Sequence, residues 1–192
     1  LLAQTNNYLE AIELFSKALK INPNHAGTFS NLGIALKELK RHEEALASFD
    51  EAIKLKPDYG DALNNRGNIL HLLKRHDEAI VSFDKAIVIN PGYEGAYYNR
   101  GNTLNSLKRF EEALASFDIA IEINPNYWFD YNISGNTLTE IKFYEEALAS
   151  FDKAIAINPN YGIAYKSRGN TLTELKFYED ALASFDKAII YN

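Results

Sequence analysis

The chain has 192 residues, of which 46% are hydrophobic and 24% are charged, with no cysteine and a formal net charge of −6. No uninterrupted apolar run is longer than four residues, which excludes a membrane-spanning helix because a span needs about 20 apolar residues. The acidic balance disfavours nucleic acid and anionic membrane surfaces as partners, since both attract basic proteins, and it favours a cytoplasmic location.

The prolines divide the sequence into repeats of 34 residues. All five follow that interval: Pro23, Pro57, Pro91, Pro125 and Pro159. A glycine recurs with the same period: Gly33, Gly67, Gly101, Gly135 and Gly169. So does a phenylalanine: Phe15, Phe49, Phe83, Phe117, Phe151 and Phe185. We number each repeat so that proline falls at position 32, which places glycine at position 8 and phenylalanine at position 24.

In chain order, this register predicts a single array over residues 1–192. Its copies are a partial repeat 1–25, full repeats 26–59, 60–93, 94–127 and 128–161, and a nearly complete repeat 162–192. Two apolar segments with helical spacing in each full copy predict two antiparallel helices of roughly 12 residues. Proline ends the second helix, because the residue before proline avoids the helical conformation. The Asn or Asp after proline is expected to cap or shape the next turn.

Small residues recur where the two helices of a repeat should meet. Glycine at position 8 and alanine at positions 20 and 27 would let the helix backbones approach closely, with the position-24 phenylalanine filling the remaining space. A single helical hairpin cannot bury both of its faces, so stability should come from stacking each repeat on its neighbours.

These columns, extended by leucine at position 11 and an aromatic residue or leucine at position 4, resemble the tetratricopeptide repeat (TPR) family over the whole chain. The resemblance implies an all-α fold, an α-solenoid of tandem helix-turn-helix repeats wound into a right-handed superhelix. It also implies a scaffold that binds a protein or peptide partner along the concave face of that superhelix, without a cofactor.

No constellation of residues predicts an enzyme or a metal site. His42 and His76 stand at position 17, where other copies carry an aromatic residue, so a structural role is expected of them. No two histidines have the i, i+4 spacing of a helical metal site. The serine at position 23 recurs in every full copy and has no positioned base, which a serine nucleophile would need.

Asparagines recur on the first helix of each repeat, although asparagine is a poor helix former. In the TPR family the first helices line the concave face, and stacked repeats would form a ladder of amides there, each offering both donors and an acceptor to a peptide main chain. This pattern is similar to the TPR superhelix of O-GlcNAc transferases. The predicted peptide-binding residues are Asn64, Asn65, Asn68, Tyr98, Asn99, Asn102, Asn105, Phe129, Asn132, Asn136, Lys166 and Asn170.

Two further features depart from the family pattern. Arg66, Arg100 and Arg168 occupy position 7, where leucine is usual, and their stems are expected to pack while the guanidinium groups reach acidic neighbours. Trp128 follows Tyr127 at the start of another repeat, and either internal packing or an exposed anchor for a partner is open to it. The basic residues that would grip a terminal carboxylate are missing apart from Lys166, which disfavours that mode of binding.

Three hypotheses for function remain open at this point. The leading one is a scaffold that binds an extended peptide segment through the asparagine ladder. A second is the targeting arm of a larger enzyme, such as a glycosyltransferase. A third is a structural array that forms homo-oligomers by stacking through its uncapped terminal repeats, since solenoid ends normally need polar caps.

Overall fold

The computed structural model describes residues 2–191, with side chains from residue 7 onward. Over this range the chain forms helices and no strand. In chain order the helices are α1 (Leu2–Ile21), α2 (Ala26–Glu38), α3 (His42–Leu55), α4 (Gly60–Leu72), α5 (His76–Ile89), α6 (Glu94–Ser106), α7 (Phe110–Ile123), α8 (Trp128–Glu140), α9 (Tyr144–Ile157), α10 (Gly162–Glu174) and α11 (Tyr178–Ile190). The predicted pairs of helices are confirmed, with 13 residues in α2 and 14 in α3.

The helices belong to two compact units, Leu1–Thr103 and Leu104–Asn192. The first unit contains α1 to α5 and most of α6, and the second contains α7 to α11. Each unit stacks helical hairpins of the same kind. A single array over residues 1–192 stays a prediction.

The core of each unit is built from the repeated small and aromatic residues. Phe49 and Phe83 in the first unit and Phe151 in the second are fully buried. Each of these rings lies against the glycine of its own repeat, so closely that a Cβ on Gly67 would stand 2.5 Å from Phe83 Cε1. Glycine at position 8 is therefore required by the close approach of the two helices, as the sequence predicts.

The N-terminal segment and the helix starts differ from the expectation. The partial repeat forms one continuous helix of 20 residues, α1, which is longer than the roughly 12 residues expected for a helix of these repeats. The residue at position 34, such as Tyr59, is the N-cap of the next helix, and not the Asn or Asp at position 33. The turn is shaped by the asparagine before proline, since Asn90 Oδ1 accepts a hydrogen bond from the Gly92 amide at 3.1 Å.

A lysine in the left-handed region follows the first helix of each repeat from 26–59 to 162–192. These residues are Lys40, Lys74, Lys108, Lys142 and Lys176, with φ between 58° and 66°. The amide after each lysine bonds to the carbonyl five residues earlier, as Arg75 N does to Leu70 O at 2.9 Å. This is the hydrogen-bond pattern of the Schellman motif, in which glycine is the favoured residue.

Replacing Lys74 with glycine is therefore expected to raise the free energy of unfolding by about 0.5–1 kcal/mol, because glycine removes the strain of a side chain at positive φ. Urea denaturation measures the change. Lys85, which is exposed inside α5, provides the matched control, since Lys85→Gly should instead destabilise by about 1 kcal/mol. Equal destabilisation by both substitutions would contradict the prediction.

Candidate peptide-binding site

Six of the predicted asparagines lie at positions 6 and 9 of the first helices, and we call this set of residues the amide face. In the first unit it consists of Asn65, Asn68, Asn99 and Asn102. In the second unit it consists of Asn136 and Asn170. Residues three or four apart lie near one face of a helix, so α4 and α6 each present two of these amides in the same direction.

In the first unit, Asn64 belongs to a buried network rather than to an open surface. Asn64 Nδ2 donates to Tyr93 Oη at 3.3 Å, and Asn64 Oδ1 accepts from Asn99 Nδ2 at 3.0 Å. Burial, with the charge of Asp61 adding to it, raises the pKa of Tyr93 to about 12, so the phenol keeps its proton at neutral pH. The network links α4 to α6 and fixes the orientation of Asn99.

A second set of polar contacts links successive first helices further along their length. In each, the residue at position 12 bonds to the threonine at position 10 of the next repeat. The pairs are His71 Nδ1 with Thr103 Oγ1 at 3.0 Å, Asn105 Nδ2 with Thr137 Oγ1 at 2.7 Å, and Thr139 Oγ1 with Thr171 Oγ1 at 3.0 Å. Asn105 is thus engaged by a contact inside the second unit.

His71 takes part in this contact as a neutral side chain. Burial lowers the pKa of His71, and the charges of His76 and Lys74 lower it further. The imidazole of His76 lies beside it, with ring centroids 5.1 Å apart. His76 therefore fills a structural position, as its place in the repeat predicts, and His71, for which the repeat predicts no role, packs beside it.

Four amides of the amide face have no side-chain hydrogen bond to any other described residue: Asn65, Asn68, Asn136 and Asn170. Asn170 is exposed and the other three are half-buried. Asn136 and Asn170 line one groove of about 400 Å³ between α8 and α10. The charged residues of its wall are Glu140, Glu174 and Lys142. The second unit thus presents two unengaged amides in one polar groove.

The remaining predicted residues occupy different environments. Asn132 is almost fully buried, and its Oδ1 has no hydrogen-bond partner among the described residues. Tyr98 and Asn102 are half-buried and both already have interaction partners. Phe129 is half-buried beside Trp128, with ring centroids 5.8 Å apart. Lys166 is exposed on α10.

Trp128 packs inside the second unit. Its ring centroid lies 4.2 Å from that of Tyr161, and both rings adjoin a small core around Ala154 and Ala164. Trp128 therefore packs against its own chain, which is the first of the two possibilities that the sequence left open, the other being an exposed anchor for a partner.

Among the described residues we find neither a metal-binding cluster nor a membrane-spanning helix. Residues 2–191 contain no group of three or more His, Asp or Glu side chains that could hold a metal ion. None of the described helices combines the length and apolar character required to cross a membrane.

Family comparison agrees with the repeated geometry. Three tetratricopeptide-repeat profiles match the sequence, the first over residues 1–58, the second over 30–94 and 138–191, and the third over 95–127. The chain belongs to the tetratricopeptide repeat family. No curated protein sequence matches it.

Solved TPR structures share this fold. YrrB, described as a TPR protein with an unusual peptide-binding site, is 28% identical, with a TM-score of 0.75 and coverage of 94% of this chain and 93% of YrrB. MamA of Desulfovibrio magneticus RS-1 is 20% identical, with a TM-score of 0.79 and coverage of 86% and 94%. A chain of the APC/C Cut9–Hcn1 hetero-tetramer is 16% identical, with a TM-score of 0.78 and coverage of 96% and 37%.

The threonines of the helix-to-helix contacts escaped sequence reasoning. Thr103, Thr137 and Thr171 recur at position 10 of these TPRs with the period of 34, and all three are buried. Their period alone could have identified them as repeat features. Their partners at position 12 differ in type from one repeat to the next, so the contact itself left no repeating signature.

Proposed function

We propose that this TPR chain binds an extended segment of a partner protein through the unengaged amides of the amide face. The observation that carries the proposal is the groove between α8 and α10, in which the side chains of Asn136 and Asn170 make no hydrogen bond to a described residue. A side-chain amide offers two donors and an acceptor, which matches the N–H and C=O of a peptide main chain. YrrB, the 28% identical TPR protein with a peptide-binding site, supports the same use.

The groove also suggests how such a peptide would be selected. Glu140 on α8 and Glu174 on α10 favour a peptide with basic side chains, and Lys142, which follows α8, favours an acidic group nearby. Main-chain contacts through asparagine would tolerate many peptide sequences, whereas the three charged side chains of the groove would discriminate among them. In the first unit, Asn65 and Asn68 would contribute main-chain contacts of the same kind.

A peptide library displayed on phage tests the proposal. The triple variant Asn68→Ala, Asn136→Ala and Asn170→Ala should bind the selected peptides at least about tenfold more weakly than the original chain, because each lost hydrogen bond contributes about 0.5–1.5 kcal/mol. Asn126→Ala, at an exposed asparagine of the turn before α8, is the matched control and should bind normally. Equal binding by the triple variant and the control, with an unchanged helical signal, would contradict the proposal.

Self-association is the competing proposal, and one feature of α11 favours it. Leu182 and Ile189 are 62% and 75% exposed, whereas Leu46, at the same repeat position as Leu182, is 5% exposed. A second copy could cover this apolar face by stacking on α11. Light scattering of the chain used in the peptide experiment distinguishes the two proposals, since a constant monomeric mass at rising concentration excludes stacking.

A further inference from the structure

Position 7 holds an arginine in three of the repeats, and Arg66 shows how this residue bridges two second helices. Arg66 donates from Nε to Asp50 Oδ1 at 2.6 Å and from Nη1 to Ser82 Oγ at 2.7 Å. Asp50 stands at position 25 of the repeat before the one that contains Arg66. Ser82 stands at position 23 of the repeat that contains Arg66. We call such a set of aspartate, serine and position-7 residue a guanidinium site.

The same geometry occurs again in each unit. Arg168 donates to Asp152 Oδ1 at 2.7 Å and to Ser184 Oγ at 2.8 Å. Arg100 donates to Asp84 Oδ1 at 2.7 Å. The arginine side chains are 24% to 29% exposed, so the stems pack while the charged ends reach acids, as the sequence predicts. The chain therefore binds a guanidinium group at this place in three repeats.

The serine of a filled site is arranged as an acceptor. Ser82 Oγ donates its proton to the carbonyl oxygen of Glu78 at 2.9 Å, and Ser184 Oγ does the same to Asp180 at 2.9 Å. The lone pairs of each hydroxyl then remain for the arginine N–H group.

One guanidinium site of the second unit lacks its arginine. Asp118 and Ser150 stand at the aspartate and serine positions, but position 7 is Ser134. Ser150 Oγ donates to the Glu146 carbonyl at 3.0 Å, which orients the hydroxyl as in the filled sites. Ser134 is 4% exposed, and its hydroxyl has no hydrogen-bond partner in the part of the chain that the structure describes.

Asp50 and Asp152 each form an ion pair with an arginine, and Asp118 differs from them in this respect. Asp118 is exposed and makes no ion pair with a described residue. Partial burial raises its pKa, and the charge of Glu122 raises it further. A cation placed beside Asp118 would favour the carboxylate and lower its pKa, against both of these effects.

A second arginine is missing from the same repeat. Arg75 at position 16 pairs with Glu78 at 2.7 Å, and the charge of Arg66 assists Arg75 in holding the pKa of Glu78 below its usual value. In repeat 128–161 the position-16 residue is Phe143, which is 54% exposed. Glu146 stands at the repeat position of Glu78, but its repeat has no arginine at position 7 or at position 16.

We propose that Asp118, Ser134 and Ser150 form an open guanidinium site that binds an arginine side chain of a partner protein. The carboxylate would accept one N–H of the guanidinium and Ser150 another, as Asp152 and Ser184 do for Arg168. Arginine fits better than lysine, because its planar fork presents two donors in fixed positions to two acceptors. Glu146 and the exposed ring of Phe143 would favour the same cation from the rim.

The direct test is a titration of the chain, labelled with ¹³C, with the peptide acetyl-Gly-Arg-Gly-amide, following the Asp118 carboxyl resonance by NMR. We expect a saturable shift with a dissociation constant on the order of millimolar, as befits a single charge-assisted pair. The lysine peptide should bind about tenfold more weakly. Equal shifts with both peptides, or no shift of Asp118 with either, would overturn the proposal.

Two variants and a control sharpen the test. Ser134→Arg should fill the site from within, abolish binding of the arginine peptide and lower the pKa of Asp118. Asp118→Asn, in which binding is followed through backbone amide resonances because the carboxyl is gone, should also abolish binding, and it leaves the packed side chains of the site in place. Asp152→Asn, in the filled site of Arg168, is the matched control and should leave peptide binding unchanged. Normal binding by the Asp118→Asn variant would refute the site even if Ser134→Arg failed to fold.

Discussion

Replacing Phe83 with alanine is expected to lower the free energy of unfolding by about 3–5 kcal/mol, the usual range for truncating a buried phenylalanine. The ring is fully buried and contacts a core cluster that includes Phe49, Leu70 and Ala79. Gly67 lies against one edge of the ring with no side chain to move into the space. The cavity therefore stays open, and the lost contacts are not replaced.

Urea denaturation of the variant measures this effect. Phe177→Ala is the control, because Phe177 is 55% exposed at the start of α11, and substitutions at such positions change stability by about 0.5 kcal/mol or less. A loss at Phe83 no greater than the loss at Phe177 would show that the position-24 rings do not form the core.

Replacing Gly67 with alanine is expected to destabilise the chain by about 1–3 kcal/mol through overpacking. The added Cβ would stand 2.5 Å from Phe83 Cε1 and 2.7 Å from Cζ, so the ring or the helix must shift. The ring cannot turn away freely, since it is enclosed on all sides. Thermal melting followed by circular dichroism measures the change.

Gly95→Ala is the matched control for Gly67. A Cβ on Gly95 would lie 3.5 Å from Tyr93 Cε2, an ordinary contact. Alanine in a helix is more stable than glycine by roughly 0.5–1 kcal/mol, so this variant should melt at a higher temperature. A stabilised Gly67→Ala variant would disprove the close approach of α4 and α5.

The period of 34 made most of the fold predictable. Proline and glycine fix where each helix ends and which residues meet, so the register of Gly67 with Phe83 follows from sequence alone. The long helix α1 did not follow, because the sequence of the partial repeat carries no first-helix pattern against which to place a break. The helix caps at position 34 also escaped prediction, since tyrosine is not a typical capping residue.

The site was only partly predictable, because the role of each asparagine depends on residues in the next repeat. Asn64 and Asn68 both stand on α4, yet Asn64 bonds to Tyr93 and Asn99 while Asn68 makes no side-chain hydrogen bond to a described residue. Helical spacing places both amides on the first helix. It does not show which of them a neighbouring side chain engages.

The open guanidinium site shows a different limit of sequence reasoning. The arginines at position 7 were evident as a departure from the family pattern, and so was their expected contact with acids. The acids that they contact lie one repeat earlier, which only the packed helices reveal. Once Asp50 and Asp152 are identified as partners, the unpaired Asp118 becomes visible as their counterpart.

NMR of the side-chain amides tests the central claim most directly. The chain, labelled with ¹⁵N, is titrated with the tightest peptide from the phage library, and the asparagine NH₂ resonances are followed. We expect the resonances of Asn68, Asn136 and Asn170 to shift until binding is saturated, while those of Asn64 and Asn105, which are engaged internally, stay in place. Saturable binding that leaves the first three resonances unmoved would show that the peptide binds elsewhere and would contradict the proposed function.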